Sequence, residues 1–156
     1  MNADSATALS VAIKDLQPVH VARVDYLPAA EAGDMHEQIH ACFGRIQGWM
    51  RSLGLDPMSF LHIGVPILQD GRLLIYECCV QVPANLHTAP PEIRIKDLPG
   101  GRYAVLSMSK DPAIIGPSIG RFYQEYIPDK GLGIDAQRPT YEIYYDTTME
   151  YCVAIT

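Results

Sequence analysis

Two stretches of the chain place apolar residues at helical spacing, and short runs typical of strands surround each stretch. The first stripe follows Asp34, which is placed to cap a helix, and ends at Gly54. The members of the two stripes are Met35, Ile39, Cys42, Phe43, Ile46, Trp49, Met50 and Leu53, then Ile115, Ile119, Phe122, Tyr123, Tyr126 and Ile127. Strands are predicted over residues 11–26, 60–68, 73–82, 93–109, 139–146 and 150–155. The first and fourth of these should break at their prolines, since proline cannot donate a ladder hydrogen bond.

The same elements occur twice in the same order, which indicates an internal repeat. The tetrapeptide Ile-Lys-Asp-Leu stands at residues 13–16 and again, 82 positions later, at residues 95–98. Further matches keep the order while the offset drifts by loop-sized amounts, and they pair residues 43–46 with 119–122 and residues 79–80 with 152–153. Four letters can recur by chance, but an ordered series of matches is typical of a duplicated unit.

Each copy reads as strand, helix, strand, strand, so we predict an α+β fold with an antiparallel sheet, two helices and pseudo-twofold symmetry. We place the repeats at residues 11–82 and 93–156, after a flexible N-terminus of residues 1–10. Asp15 and Asp97, which belong to the repeated tetrapeptide, should occupy equivalent places on equivalent strands. Each half is too small to cover its own apolar face, so a central cleft is expected where the halves meet.

The charge balance excludes several classes of partner. The sequence has 12 Lys and Arg residues against 18 Asp and Glu, a net charge of −6, and its basic residues are dispersed. Nucleic-acid binding requires a clustered basic surface, so we predict no direct binding to nucleic acid. A negative field instead favours cationic partners. The sequence lacks both a long apolar run and a basic start before one, so we expect no membrane segment, no signal peptide and a cytoplasmic location.

The spacing of cysteine and histidine predicts neither a disulfide framework nor a metal site. The four cysteines include Cys78 and Cys79, which are adjacent and would point to opposite faces of a strand. The five histidines are scattered and no Cys-x-x-Cys pair occurs, so we expect neither zinc nor any other cofactor. No Ser-His-Asp arrangement or Gly-rich phosphate loop indicates other chemistry.

Tyrosine is concentrated in the second half of the chain. Nine tyrosines stand against three phenylalanines, and a tyrosine ring with its polar tip suits a pocket as well as a core. The tyrosines after residue 100 are Tyr103, Tyr123, Tyr126, Tyr141, Tyr144, Tyr145 and Tyr151. For any one of them, a half-buried structural position is the commoner role.

Glu142 has a setting that is unusual for its residue type. It lies in the middle of a predicted strand between bulky neighbours, where glutamate has poor propensity. Glu142 and Tyr144 share one face of this strand, whereas Tyr141 and Tyr145 lie on the other. Because both faces carry tyrosine, periodicity leaves two alternatives open: a solvated carboxylate on an outer face, or a buried charge with a partner.

The repeat adds candidates from the first half of the chain. Aligning Leu-His-Ile of the first repeat with Tyr-Glu-Ile of the second makes His62 the symmetry mate of Glu142. If Glu142 faces the cleft, then His62 should face it from the other half, with Tyr76 and Tyr103 as further wall residues. The alternative for His62 is a strand histidine with satisfied hydrogen bonds.

Three stretches together resemble the GyrI-like (gyrase-inhibitor-like) small-molecule-binding domains, which are related to the effector-binding domains of AraC-type and MerR-type regulators. The stretches are LPGGRYAV at residues 98–105, FYQEYIP at residues 122–128 and, above all, RPTYEIY at residues 138–144. The resemblance covers residues 11–156. It implies a cleft between two repeats that binds bulky, apolar, often cationic compounds between aromatic walls, with a glutamate at its base. Glu142 matches that glutamate, and Tyr103 and Tyr144 match motif tyrosines.

From the resemblance and the acidic balance we predict a standalone binding protein for amphipathic, aromatic, cationic small molecules such as drugs or toxins, acting by sequestration or sensing. The resemblance also implies an alternative, a hydrolase that detoxifies cyclopropane-bearing, DNA-alkylating compounds in the same cleft, with Glu142 as general base and Tyr103 beside it. A further alternative is inhibition of DNA gyrase, in which case gyrase, or otherwise a regulator, would be a protein partner. The predicted ligand-binding residues are Glu142, Tyr144, Tyr103, Tyr76, Trp49, His62 and Tyr123.

Overall fold

The computed structural model describes residues 8–30 and 33–156, which fall into two compact units. The central unit is Gln17–Gly100, and the terminal unit joins the chain up to Leu16 with Gly101–Thr156. Most of the expected flexible N-terminus lies outside the described residues. Within the described part of the chain, no helix has the length and apolar character that crossing a membrane requires.

The elements follow the order that the sequence predicts. They are β1 (Ser10–Leu16), β2 (Val19–Tyr26), α1 (Met35–Ser52), β3 (His62–Gln69), β4 (Arg72–Gln81), β5 (Arg94–Leu98), β6 (Gly101–Ser109), α2 (Pro112–Arg121), α3 (Ile127–Asp129), β7 (Tyr141–Tyr144) and β8 (Thr148–Ala154). The strand order is β3-β4-β2-β5 in the central unit and β1-β6-β8-β7 in the terminal unit, with antiparallel pairing in both. The prediction of an α+β fold with antiparallel strands and a helical segment in each half is confirmed.

The bounds of α1 follow from the residues at its two ends. The Asp34 side chain accepts a hydrogen bond from the His36 backbone N–H at 3.0 Å, which satisfies one of the free donors of the first turn. The chain leaves the helix at Gly54, whose φ of +80° suits a residue without a β-carbon. The residues that α1 buries all belong to the predicted stripe, and they are Cys42, Phe43, Ile46 and Met50.

The second helical segment contains a π-helical turn that its stripe did not predict. Asp111 caps α2, and the turn Phe122–Tyr126 joins α2 to α3. The backbone N–H of Ile127 donates to the carbonyl of Phe122, five residues earlier. A five-residue turn brings both of these residues to the same side, where each is buried with 4% exposure or less.

The two copies of the repeated tetrapeptide lie in equivalent ladders. On β1, Asp15 is opposite Arg102 of β6, and on β5, Asp97 is opposite His20 of β2. The first strand of each repeat therefore pairs with the second strand of the other repeat. For this reason the two compact units do not coincide with the two sequence repeats.

The core of the terminal unit forms on one face of its sheet, beneath α2, the π-helical turn and α3. Alternate residues of β6 and β8 supply most of it. Its buried members are Ala104, Leu106, Met108, Phe122, Ile127, Met149, Tyr151, Val153 and Ile155. This face also carries the candidate site.

Candidate functional site

Glu142 lies on the helix-covered face of the terminal sheet. It is opposite Tyr151 of β8. Tyr144, two residues further along β7, is opposite Met149. Directly opposed residues of an antiparallel pair point to the same face, and Tyr151 and Met149 both belong to the buried core there. Glu142 is half-buried on that face.

Phenol groups contact one another and the carboxylate at this position. The Tyr144 hydroxyl donates a hydrogen bond to Glu142 Oε1 at 2.8 Å. The hydroxyls of Tyr151 and Tyr123 lie 2.9 Å apart, which joins β8 to the π-helical turn. We refer to these four residues as the Glu142 cluster.

The Glu142 cluster keeps the Tyr151 phenol protonated. Burial raises the pKa of Tyr151 well above its usual range, and the hydrogen bond with Tyr123 and the nearby charge of Glu142 act in the same direction. The Tyr151 hydroxyl is therefore a neutral hydrogen-bond donor and acceptor near a carboxylate, and the cluster combines a localised charge with polar tips on apolar rings.

Aromatic rings form the apolar part of this site. Tyr123 meets the Tyr151 ring edge-on at a centroid distance of 5.9 Å, and Phe122 meets the same ring at 6.3 Å. Tyr126 is tilted against Phe122 at 5.9 Å. Tyr123 and Tyr126 are both half-buried, so parts of the rings beside the carboxylate are accessible.

Tyr103 lies on the opposite face of the sheet from Glu142. It is paired with Ala154, three residues from Tyr151, and an odd number of residues along a strand reverses the face. Its side chain has no exposed surface, and its hydroxyl donates to the carbonyl of Pro139 at 2.9 Å. The expectation that Tyr103 stands beside Glu142 as a wall or catalytic residue does not fit this position, because the sheet separates their side chains.

Arg138, the first residue of the RPTYEIY stretch, also has a structural position. Its Nε donates to Asp135 at 2.9 Å and its Nη2 to the carbonyl of Ile155 at 2.8 Å. Its guanidinium lies 5.1 Å from the centre of the Tyr103 ring. The arginine and Tyr103 thus hold the entry to β7 and fix the strand that carries Glu142.

His62 and Trp49 lie in the central unit. The Gln47 amide lies 3.1 Å from His62 Nε2, and His62 Nδ1 lies 3.1 Å from the carbonyl of Phe60. With Gln47 donating and the carbonyl accepting, the ring is neutral, and burial lowers its pKa. His62 therefore has the satisfied hydrogen bonds of the alternative considered above. Trp49 is half-buried on α1.

The strand register shows that His62 is not the equivalent of Glu142. His62 is opposite Val80, which corresponds to Val153, whereas Glu142 is opposite Tyr151, two positions away on β8. The residue opposite Cys78, and hence equivalent to Glu142, is glycine 64. The alignment of Leu-His-Ile with Tyr-Glu-Ile was therefore wrong by two residues.

Tyr76 lies over the glycine that takes the place of Glu142. A β-carbon on Gly64 would meet the Tyr76 hydroxyl and ring carbons, and Tyr76 itself is only 5% exposed. In the central unit a tyrosine ring thus covers the position that carries the carboxylate in the terminal unit.

Tyr151 is the residue of the Glu142 cluster that sequence reasoning missed. The signal was present, because Tyr151 and Glu142 lie on either side of one short hairpin. Only the register of that hairpin pairs them, however. The predicted strands 139–146 and 150–155 placed the turn at residues 147–149, whereas the structure has it at residues 145–147. Among residues 8–30 and 33–156, no three His, Cys, Asp or Glu side chains are grouped so that they could hold a metal ion.

Comparison with known families defines the class. The GyrI-like small molecule binding domain matches residues 10–154. Since this match covers nearly all of the sequence, the chain belongs to the GyrI-like family. A search of curated protein sequences finds no match.

Several solved structures share the fold at low sequence identity. EcmrR in complex with DNA has a TM-score of 0.73 and 12% identity over 94% of this chain, which spans 57% of the EcmrR chain. SAV2435 bound to tetraphenylphosphonium has a TM-score of 0.58 and 15% identity, with 94% of each chain covered. A hydrolase from Listeria innocua has a TM-score of 0.64 and 9% identity, with 94% of this chain and 92% of the other covered.

Proposed function

We propose that this chain binds amphipathic, aromatic cations and that Glu142 supplies the charge that selects them. The observation that carries the proposal is the position of Glu142 among tyrosines on the helix-covered face. A carboxylate taken out of water is costly unless hydrogen bonds or a cation offset its charge. Tyr144 supplies a neutral donor at 2.8 Å, which leaves the negative charge in place to attract a ligand.

The surrounding rings suit the apolar part of such a ligand. A cation over a tyrosine ring gains about 0.5–2 kcal/mol, more where water is excluded. Tyr123 and Tyr144, both half-buried, are the rings that would be in reach. The acidic balance of the chain, a net charge of −6, adds long-range attraction for cations.

The structural neighbour SAV2435, bound to tetraphenylphosphonium, supports this ligand class. Tetraphenylphosphonium is a lipophilic cation whose charge lies among four phenyl rings, and it is the probe we would use. Tyr76, Trp49 and His62 of the central unit remain predictions from the sequence alone.

The experiment is a calorimetric titration with tetraphenylphosphonium and with triphenylphosphine oxide, a neutral compound of similar shape. Glu142→Gln keeps the shape of the side chain and removes its charge. We expect the cation to bind the variant more weakly by about 2 kcal/mol or more, as for other close charge pairs, and the neutral compound to bind as before. Equal affinity of the cation for both proteins would contradict the proposal.

Glu150→Gln provides a matched control for that titration. Glu150 lies on the opposite face from Glu142, one residue from Tyr151, and removing its charge changes the net charge by the same amount. Its substitution should leave affinity for the cation nearly unchanged. A loss as large as that of Glu142→Gln would mean that net charge, and not the Glu142 cluster, selects the ligand.

The second candidate function is hydrolysis of a reactive compound at the same cluster. The neighbour from Listeria innocua, described as a hydrolase, favours it, and a carboxylate beside phenol donors could orient a water molecule. Mass spectrometry of a candidate cyclopropane-bearing substrate over time distinguishes the two functions. A binder leaves the compound unchanged, whereas a hydrolase yields a product 18 mass units heavier (about one water), and Glu142→Gln should then lower turnover more than binding.

A further inference from the structure

His20 on β2 has a hydrogen-bond acceptor at each of its ring nitrogens. Its Nδ1 lies 2.6 Å from Asp97 Oδ1 on β5, and its Nε2 lies 2.7 Å from the carbonyl oxygen of Leu86. A neutral imidazole donates from one nitrogen and accepts at the other, whereas a carboxylate and a carbonyl can only accept. Both contacts are therefore satisfied together only when the ring carries two protons and a positive charge.

The contact with Leu86 attaches the segment that joins β4 to β5. This segment contains Pro83, Pro90 and Pro91, which have no backbone N–H and so cannot donate to the neighbouring strands. Within the segment, the Leu86 N–H donates back to the Pro83 carbonyl at 3.0 Å. The contact of the His20 side chain with Leu86 therefore attaches the middle of this segment to β2.

The terminal unit has an arginine at the position equivalent to His20. Arg102 stands 82 residues after His20, the same offset as the repeated tetrapeptide. It is opposite Asp15 in the ladder of β6 and β1, as His20 is opposite Asp97 in the ladder of β2 and β5. The repeat has therefore kept a basic residue at this place and changed its type.

The two basic residues also perform the same task. Arg102 Nη1 donates to the carbonyl of Thr156 at 2.8 Å, just beyond β8, and His20 contacts Leu86 beyond β4. Arginine is charged at every pH that a protein meets, whereas histidine changes charge near neutrality. The attachment is therefore permanent in the terminal unit and titratable in the central unit.

Few other titratable groups contact His20 in the described residues. Asp97 faces it from β5, and the His87 ring meets it edge-on from the segment, at a centroid distance of 5.3 Å. Directly after β4, the Val82 backbone N–H donates to the His20 carbonyl at 2.9 Å. The His20 side chain is 18% exposed and the Asp97 side chain 73% exposed, so solvent screens their contact, whereas the contact with the Leu86 carbonyl is partly buried.

We propose that His20 is a pH-sensitive latch, which holds the segment between β4 and β5 when protonated and releases it when it loses a proton. On deprotonation one nitrogen becomes an acceptor and faces either the Asp97 carboxylate or the Leu86 carbonyl without a proton between them. The hydrogen bond at that nitrogen is then lost, and the two acceptor atoms that face each other there repel.

The direction of the pH dependence follows from these contacts. The hydrogen bond with Asp97 raises the pKa of His20 above its ordinary value of 6.5, and the Leu86 carbonyl acts in the same direction. A pKa that is higher in the folded chain means that the stabilisation is complete below the unfolded value and is lost as pH rises through the folded value. The latch should be closed in mildly acidic solution and should open as the pH rises through the raised pKa of His20.

Amide hydrogen exchange of the 83–92 segment tests the latch directly. After correction for the intrinsic effect of pH on exchange, the segment should lose protection severalfold as the pH rises through the folded pKa of His20. In His20→Gln, which keeps a polar amide but cannot titrate, protection should be independent of pH. The control His87→Gln removes the neighbouring histidine and should retain the pH dependence of the natural chain.

Two results would overturn the proposal. One is a pH dependence in His20→Gln equal to that of the natural chain. The other needs no variant: nitrogen NMR shifts of the His20 ring should show both nitrogens protonated at pH 6.5, and a neutral ring at that pH would exclude the latch even if His20→Gln fails to fold.

Discussion

The terminal and central units share one ion pair and differ in what surrounds it. Lys14 lies 3.4 Å from Glu150 in the terminal unit, and Lys96 lies 3.4 Å from Glu77 in the central unit. The offsets of 82 and 73 residues are those of the matched strands, so the two pairs occupy equivalent positions. Each pair connects two strands that flank a third.

The central unit extends this pair into a buried network. Arg23 Nη1 lies 3.1 Å from Glu77 Oε2, and Arg23 Nε lies 3.0 Å from Asp25. The equivalent residues of the terminal unit, Val105 and Ser107, carry no charge. The glutamate of the pair is 8% exposed in the central unit and 18% in the terminal unit, and the lysine is 36% exposed in the central unit and 48% in the terminal unit.

On the helix-covered faces it is the terminal unit, and not the central unit, that carries the additional charge. The terminal unit has Glu142 there, and the central unit has Gly64 with Tyr76 lying over it. The two units therefore share the backbone ladder and one cross-strand ion pair. The remaining charges diverged, with a buried network on one face of the central unit and the Glu142 cluster on the other face of the terminal unit.

The largest expected effect comes from breaking the buried network. Glu77→Gln leaves Arg23 and Lys96 facing a neutral group in a position that water reaches poorly. Removing one partner of a buried pair is strongly destabilising, and we expect a loss of about 3 kcal/mol in the free energy of unfolding, measured by urea denaturation.

Glu150→Gln is the matched substitution in the terminal unit. Because Lys14 is well exposed, its ion pair should contribute less than about 1 kcal/mol. Similar losses for Glu77→Gln and Glu150→Gln would mean that the extra charges of the central unit do not make its pair more important.

A smaller loss is expected from Gly64→Ala. The added methyl group would collide with the Tyr76 ring, and because Tyr76 is buried the ring has little room to move. Overpacking of this kind costs about 1–3 kcal/mol. Gly48→Ala on α1, where a β-carbon meets nothing within 4 Å, should instead gain about 0.5–1 kcal/mol through helix propensity. If Gly64→Ala is equally well tolerated, Tyr76 does not occupy the place of Glu142.

Tyr144→Ala sharpens the comparison at the ligand site. Loss of a ring beside the carboxylate should weaken tetraphenylphosphonium and triphenylphosphine oxide alike, by about 0.5–2 kcal/mol. The control is Tyr145→Ala, since Tyr145 lies on the other face and its hydroxyl donates to Glu150 at 2.8 Å. If both variants bind the two compounds as the natural chain does, Tyr144 makes no contact with ligand.

The elements that local signals control could be predicted from the sequence. The cap at Asp34, the end of α1 at Gly54 and the breaks at the prolines all depend on a few neighbouring residues. The equivalence of the two tetrapeptides was also predicted correctly. What the sequence did not reveal is that each first strand pairs with the other repeat, because two identical tetrapeptides fit either ladder equally well.

The register error in the alignment of His62 with Glu142 has a similar cause. A shift of two residues leaves every side chain on its original face, so the apolar pattern is unchanged and cannot detect the shift. A shift of one residue would have moved the apolar residues into solvent. The face of Glu142 was open for a related reason: both faces of β7 are partly apolar, and only the pairing with β8 distinguishes them.

Tyr103→Phe tests the smallest effect, and with it the structural position of Tyr103. The substitution removes the hydroxyl that donates to Pro139 at 2.9 Å and leaves a carbonyl without that partner beside the entry to β7. A neutral hydrogen bond contributes about 1 kcal/mol, so the free energy of unfolding should fall by about that amount. Affinity for tetraphenylphosphonium should not change, because the sheet lies between this hydroxyl and Glu142, and the ring that stacks on Tyr141 is retained.

Calorimetry and urea denaturation of the same variant separate the effect on binding from the effect on stability. Weaker binding with unchanged stability would return Tyr103 to the ligand site, whereas the reverse result would establish it as a support for the strand that carries Glu142.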